Sequence, residues 1–369
     1  MKSDILREAN LEIRKGRPFF PEERICDIFQ FNDLVEIGFL SKRCYNDCNG
    51  SCIMCDYGVA KGTYSREEYI AEMDNILKSL DHTVDTLLLC TNGSFFDDRQ
   101  IGPELFRAIL ERAGQSKMQT IEVETHYQDI TADKLSLMKR LLPGKRIMVE
   151  IGLETTNPKY QSHIIMKNIN LPAYEKTVAL IQDFGFQVET NIMVGLPFLC
   201  AKEQFEDALL TIQWAFDHQC RPVLFPMNIK PYTLLMDMYR SGHYRPISQW
   251  MLPLILDTMG EEHLRKITIA WYGNREEIYH PNGVRAVFPS SCPECVETLS
   301  LFYEEFLVAG DGHTRRLLLQ QLLSQVTCSC LERAKTELTI SPEDTFDTRY
   351  SAYVERLLNC GFDGKESCL

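Results

Sequence analysis

At 369 residues, with 44% hydrophobic and 25% charged side chains, the chain has an ordinary globular composition and is long enough for one large α/β domain plus an appendage. Its net charge of −13, from 39 basic against 52 acidic side chains, argues against broad sequence-independent contact with a phosphate backbone, which Lys and Arg drive. The mixed-charge start MKSDILREANLEIRKGRPFF and the lack of any uninterrupted run of about 18 apolar residues point away from secretion and the membrane and toward the cytoplasm.

The first 30 residues read as an N-terminal segment. From 31 to 235, apolar extended runs alternate with helix-period segments, the pattern of βα units on a parallel sheet. Strands are expected over 33–40, 86–91, 120–124, 146–154, 187–195 and 222–229, with helices near 65–80, 103–112, 132–142, 173–184, 202–216 and after Pro231. The unbroken apolar core of Thr86–Thr91 suits a strand buried on both faces. Six such units make a partial (β/α)6 TIM-like barrel, with an active site where the strand C-termini open. Residues 236–369 shift to a mostly helical extension expected to cap the substrate, with helices over 253–265, 293–307, 314–328 and 347–358 and one short strand over 266–272.

After the first strand stand Cys48, Cys52 and Cys55, spaced Cys-x3-Cys-x2-Cys. Three thiolates are one short of closing an iron–sulfur cube, so one iron stays open to a small molecule. Two plainer readings stand beside this one: Cys44 adds a fourth thiol to a zinc site, or the thiols are unliganded. A ferredoxin would place Cys-Pro at the end of a different spacing, and here Asp56 follows Cys55.

This cluster, with TNGSFFD over 91–97, IEVET over 121–125, GLETT over 152–156 and VGLPF over 194–198, resembles the radical S-adenosylmethionine (SAM) superfamily. Within it the pieces are similar to the subgroup holding the elongator acetyltransferase radical domain and the archaeosine synthase radical subunit. The resemblance implies a [4Fe–4S] cluster on Cys48, Cys52 and Cys55 whose fourth iron takes the amino and carboxylate groups of SAM. One electron, from a flavodoxin or ferredoxin, then releases methionine and a 5′-deoxyadenosyl radical.

By the same resemblance Tyr57, Val194 and Leu196 contact adenine, Asn92, Gly93 and Ser94 receive the SAM amino group, Glu154 and Glu124 meet the ribose, and Lys167 pairs with the SAM carboxylate. Each has a plainer alternative: loop packing for Tyr57, a simple turn for Asn92-Gly93, an internal ion pair for Glu124, a surface position for Lys167. His126 is a candidate substrate contact or proton donor, or a structural histidine. Tyr272, Asn274, His280 and Arg285 could line a pocket, but loops are polar anyway and no role follows.

The acidic balance, and His126-Tyr-Gln where the subgroup commonly has Arg-Pro-Glu, favour a small polar or amino-acid-derived substrate, as in natural-product biosynthesis. A tRNA-modifying enzyme and a non-enzymatic metal-binding module are the alternatives. Of the late cysteines, Cys328 and Cys330 fall in a run read as one amphipathic helix, where one-residue spacing aims two thiols apart. Cys292 and Cys295 are therefore expected to be packing or redox cysteines at a helix start, rather than ligands of a second cluster.

Overall fold

The computed structural model describes residues 2–16, 25–56, 64–80, 83–270, 286–326 and 328–360. In chain order the elements are α1 (Lys2–Lys15), β1 (Cys26–Phe31), β2 (Leu34–Phe39), α2 (Tyr45–Cys48), α3 (Arg66–Ser79), β3 (Thr86–Thr91), α4 (Pro103–Gln115) and β4 (Thr120–Thr125). They continue with α5 (Ala132–Leu141), β5 (Arg146–Glu154), α6 (Pro158–Tyr160), α7 (Leu171–Asp183), β6 (Gln187–Val194), α8 (Ala201–Asp217) and β7 (Arg221–Pro226). The C-terminal part holds α9 (Leu234–Arg240), α10 (Met251–Asp257), α11 (Glu261–Leu264), β8 (Thr268–Ile269), α12 (Pro293–Val308), α13 (Gly312–Gln325), α14 (Ser329–Thr339) and α15 (Phe346–Cys360).

One eight-stranded sheet runs in the order β1 to β8. β2 to β8 are parallel neighbours, and β1 is antiparallel to β2. Alternation along each strand sorts its side chains to the two faces of this partial barrel. Ile121, Val123, Val149, Ile151, Val188 and Ile192 face outward into a core with Phe106, Ile109, Leu135, Val178 and Ile181 from the covering helices. The intervening residues Glu122, Glu124, Glu150, Glu189 and Asn191 face inward.

All six expected strands form, and two more join them. β1 was not legible because CDIFQF exposes every second residue only partly, and its partner lies across a tight turn in which Asn32 takes φ 52°. β8 lies within the short strand expected over 266–272, of which residues 271 and 272 fall outside the described residues, and it extends the same sheet. The helix expected over 253–265 breaks before Gly260, which caps α11. The helix expected over 314–328 stops at Gln325, and a separate helix, α14, begins behind Cys328. No helix among the described residues is long and apolar enough to cross a membrane.

The N-terminal segment carries a working element, α1, whose inner face grips the cysteine loop. Arg14, 6% exposed, donates to the carbonyls of Asp47, Ser51, Cys52 and Cys55 and pairs with the Asp47 carboxylate at 3.2 Å. Asn10 donates to Gly50 O, and Arg7 donates to Ser51 Oγ and Met166 O. Gly50 sits at φ +71°, where a Cβ would lie 2.4 Å from Arg7 O. Gly144 shares the sign of φ, at +76°, but has open space around it. Gly50→Ala is therefore expected to lower stability by about 1–3 kcal/mol, and Gly144→Ala by less, in parallel thermal unfolding. Equal losses would show that the α1–loop contact adds nothing.

Candidate active site

The strand C-termini surround a cavity roofed by the cysteine loop and by Ala286 and Phe288 of the C-terminal part. Cys44, Cys52 and Cys55 line one side, with Lys167 and Glu154 beside them. Glu124, His126 and Asn191 provide a polar wall, and Met54, Met193, Phe225 and Met227 an apolar one.

Local backbone irregularity builds the charged pair. The β5–β6 register slips between Gly152 and Glu154, and Glu154 takes φ 68°. A π-helical turn over Gln161–Ile165 ends in Met166 at φ 55°, and Lys167 follows. Its Nζ reaches Glu154 Oε1 at 2.5 Å. Gly152 makes room: a Cβ there would meet Glu154 Oε1 at 2.5 Å and Lys167 Nζ at 3.4 Å. The cysteine loop docks on the same turn, Cys52 N–H donating to Ile165 O at 2.9 Å and Ser51 Oγ to Met166 O at 2.9 Å. Thiols and charged pair thus share one support.

Burial pushes the Cys52 and Cys44 thiols up; the Lys167 ammonium offsets this only in part at Cys52, as do the Asp47 and Asn46 backbone groups and then Lys167 at Cys44. Burial alone would lower Lys167, but the Glu154 carboxylate and the Cys52 thiol outweigh it and hold it above the usual lysine range. His126 is lowered to about 3, first by burial and then by Lys167, so its ring is neutral at ordinary pH. Deeper in the barrel, Glu122, Glu150 and Glu189 bring carboxylate oxygens within 4.8 Å of one another. Burial and mutual repulsion raise Glu122 and Glu150 well above the carboxylate range, while the Arg221 guanidinium, 3.3 Å from Glu189, restrains the rise at Glu189.

The structure sorts the residues singled out by sequence. Glu124, Glu154, Lys167, His126, Gly93, Cys52 and Cys55 all line the cavity. Asn92 instead accepts from Ser41 N–H and Oγ, pinning the turn to the loop ahead of the cysteines. Ser94 is fully buried, shares a hydrogen bond with Thr125 Oγ1 at 2.7 Å and accepts from His126 N–H. Val194 and Leu196 pack in the hydrophobic clusters behind the wall, and Met193 takes the inward position. Tyr57, Tyr272, Asn274, His280 and Arg285 lie outside the described residues. Cys48, the last residue of α2, is exposed and does not line the cavity, whereas Cys44, just ahead of that one-turn helix, is buried and does. Sequence reasoning also passed over Arg14, Met193, Phe225 and Phe288, for which no local motif exists.

Residues 43–212 match the family model described as the Radical SAM superfamily. The chain is 25% identical over 222 residues to archaeosine synthase subunit beta of Methanosarcina acetivorans, covering 59% of this chain and 64% of that protein. To the subunit of the same name from Thermococcus kodakarensis it is 25% identical over 205 residues, covering 54% and 63%. The match thus spans under two thirds of either relative. Among solved structures, Elp3 of Methanocaldococcus infernus superposes with a TM-score of 0.46 at 15% identity, covering 65% of this chain and 59% of that one. Streptococcus suis SuiB bound to S-adenosylmethionine gives a TM-score of 0.47 at 11% identity, covering 65% and 50%.

The depressed His126 value makes a signed prediction. The unfolded histidine, with its pKa about 6.5, binds a proton that the folded one, at about 3, refuses. Its contribution to stability is complete above pH 6.5 and falls as pH drops toward 3. His126→Gln is expected to flatten the acid limb of the stability profile, and the ring shifts of His126 followed by NMR should not titrate between about pH 8 and 4.5. Titration near neutrality would refute the buried neutral ring.

Proposed function

We propose that the chain is a radical SAM enzyme, its domain matched over residues 43–212, that Cys48, Cys52 and Cys55 hold its [4Fe–4S] cluster, and that it modifies a small polar substrate in the adjoining cavity. The observation that carries this reading is that Cys52 and Cys55 line the same cavity as the Lys167–Glu154 pair, with Cys48 ending the one-turn helix just ahead of them. When bound, the cluster supplies the single electron that cleaves SAM.

The chain's own residues do the rest. Lys167 offers its ammonium to the SAM carboxylate, and Glu154 keeps that ammonium charged and aimed while facing the ribose. Gly93 admits a ligand close to the backbone, in a turn fixed by Asn92 and Ser94. Met193 makes the adenine contact that Val194 and Leu196 support from behind. Neutral His126 and Glu124 face the substrate, His126 as an uncharged hydrogen-bonding group. The apolar wall of Met54, Phe225, Met227 and Phe288 keeps water from the reacting atoms. The reductant is a flavodoxin or ferredoxin, and the compartment a reducing cytoplasm, in keeping with the free thiols.

A cavity backed by inward carboxylates suits a small polar or amine-bearing substrate. Two lysines flanking the end of α5 are spent on structure: Lys145 donates to Ser116 O and Met118 O, and Lys139 to Phe184 O. A tRNA substrate is the second reading, favoured by the name archaeosine synthase subunit beta carried by the two relatives. Stimulation of 5′-deoxyadenosine release by tRNA, with salt-sensitive tRNA binding, would put that reading first. The expected result is neither at moderate salt, with stimulation by a member of a small-metabolite library.

Two measurements test the cofactor site. Cys48→Ala, Cys52→Ala and Cys55→Ala should each abolish the iron–sulfur chromophore after anaerobic reconstitution, while Cys44→Ala keeps it. The opposite behaviour of Cys44 and Cys48 would overturn the ligand set. Glu154→Ala and Lys167→Ala should retain iron and weaken SAM binding by about 1–3 kcal/mol each, with the double variant well short of the sum. Additive losses would mean that the two residues act on SAM separately.

A further inference from the structure

The four late cysteines converge on one point. Cys292 caps α12 and Cys295 sits in its first turn, while Cys328 caps α14 and Cys330 sits in its first turn. The break between α13 and α14 removes the obstacle seen in the sequence, since Cys328 and Cys330 straddle a helix start instead of diverging along one helix. Their Sγ atoms approach at 3.3 Å (Cys292 to Cys328), 3.6 Å (Cys292 to Cys330) and 3.2 Å (Cys295 to Cys330), and all four lie within 4.8 Å of one another.

Those distances discriminate among chemistries. A disulfide needs its sulfurs about 2.05 Å apart and takes one partner, whereas Cys330 stands at nearly equal range from two thiols. A tetrahedron with Zn–S arms of about 2.3 Å has edges of about 3.8 Å, close to the observed set. A cubane would place each thiolate on a separate iron and spread the four beyond this packing. Two helix N-termini facing the sulfurs favour the thiolate form of the ligands. The surrounding donors are in place as well: Trp250 Nε1–H donates to Cys330 Sγ at 3.1 Å, and Ser291 Oγ lies 3.6 Å from it.

We propose that Cys292, Cys295, Cys328 and Cys330 bind one zinc ion in a closed four-thiolate site, separate from the catalytic cavity. With all four positions taken by protein the ion has no open site for substrate, so its role is structural. It joins the starts of α12 and α14 to the fully buried Trp250 ahead of α10. Ser290, just before these cysteines, bridges to Ser248, and α14 packs on α8 of the barrel. The ion therefore locks the C-terminal helices onto the barrel.

The test uses the full chain with Cys48, Cys52 and Cys55 all replaced by alanine, which removes the catalytic cluster and its iron from the measurement. Elemental mass spectrometry should find about one zinc per chain there and in the unaltered protein. Adding Cys292→Ser or Cys330→Ser should reduce zinc at least fivefold. If those variants do not fold, mercurial titration of the unaltered protein should release one zinc as four thiols react, and cobalt exchange should give the absorption of a tetrahedral thiolate site. Absence of zinc with these four thiols free or paired as disulfides overturns the proposal, as does an iron–sulfur chromophore persisting in the triple alanine chain. Neither result bears on the ligands of the catalytic cluster, so the two readings fail separately.

Discussion

A single buried guanidinium organises the catalytic end of the molecule. The cysteine loop is irregular backbone, and its carbonyls would lose their hydrogen bonds on burial. Arg14 takes four of them, and its charge is balanced by Asp47 on the same loop. Removing one partner of such a pair strands a charge at a cost of about 3–5 kcal/mol. The loop is thus shaped by a helix some thirty residues upstream. That helix rests on α9 and α15, where Tyr353 and Arg356 both bind Asp237, and Asn10 accepts from Leu234 N–H. The two ends of the described chain meet behind the loop.

The barrel interior follows a second constraint. Glu124, Glu150 and Glu189 share register positions on adjacent strands and Glu122 lies beside them, and burial together with this crowding pushes Glu122 and Glu150 far above their ordinary range. Near the mouth the same dryness works differently, because Lys167 supplies the opposite charge to Glu154 and depresses His126. The cavity therefore holds the Lys167 ammonium beside the thiols and the neutral His126 ring on its polar wall.

How far the site was legible depended on whether its parts were local. Strand existence could be read from apolar runs, since strand period dictates it, whereas Gly93, Glu124, Glu154 and Lys167 as cavity residues came from the resemblance carried by the motifs after each strand. That Cys44 also lines the cavity could not be read from spacing, because a one-turn helix between it and Cys48 decides which of them faces inward. Val194 and Met193 differ by one position, which is a whole face of the sheet.

By itself the sequence determined the βα alternation, the thiol-rich loop after the first parallel strand and the polar residues at the strand ends, all consequences of periodicity and spacing within a few residues. Only the tertiary structure decided that α1 clamps the loop, that Lys167 folds back onto Glu154, and that two cysteine pairs more than thirty residues apart form one cluster. Each of those depends on packing between distant segments and on where a helix stops, and propensity along the chain does not encode either.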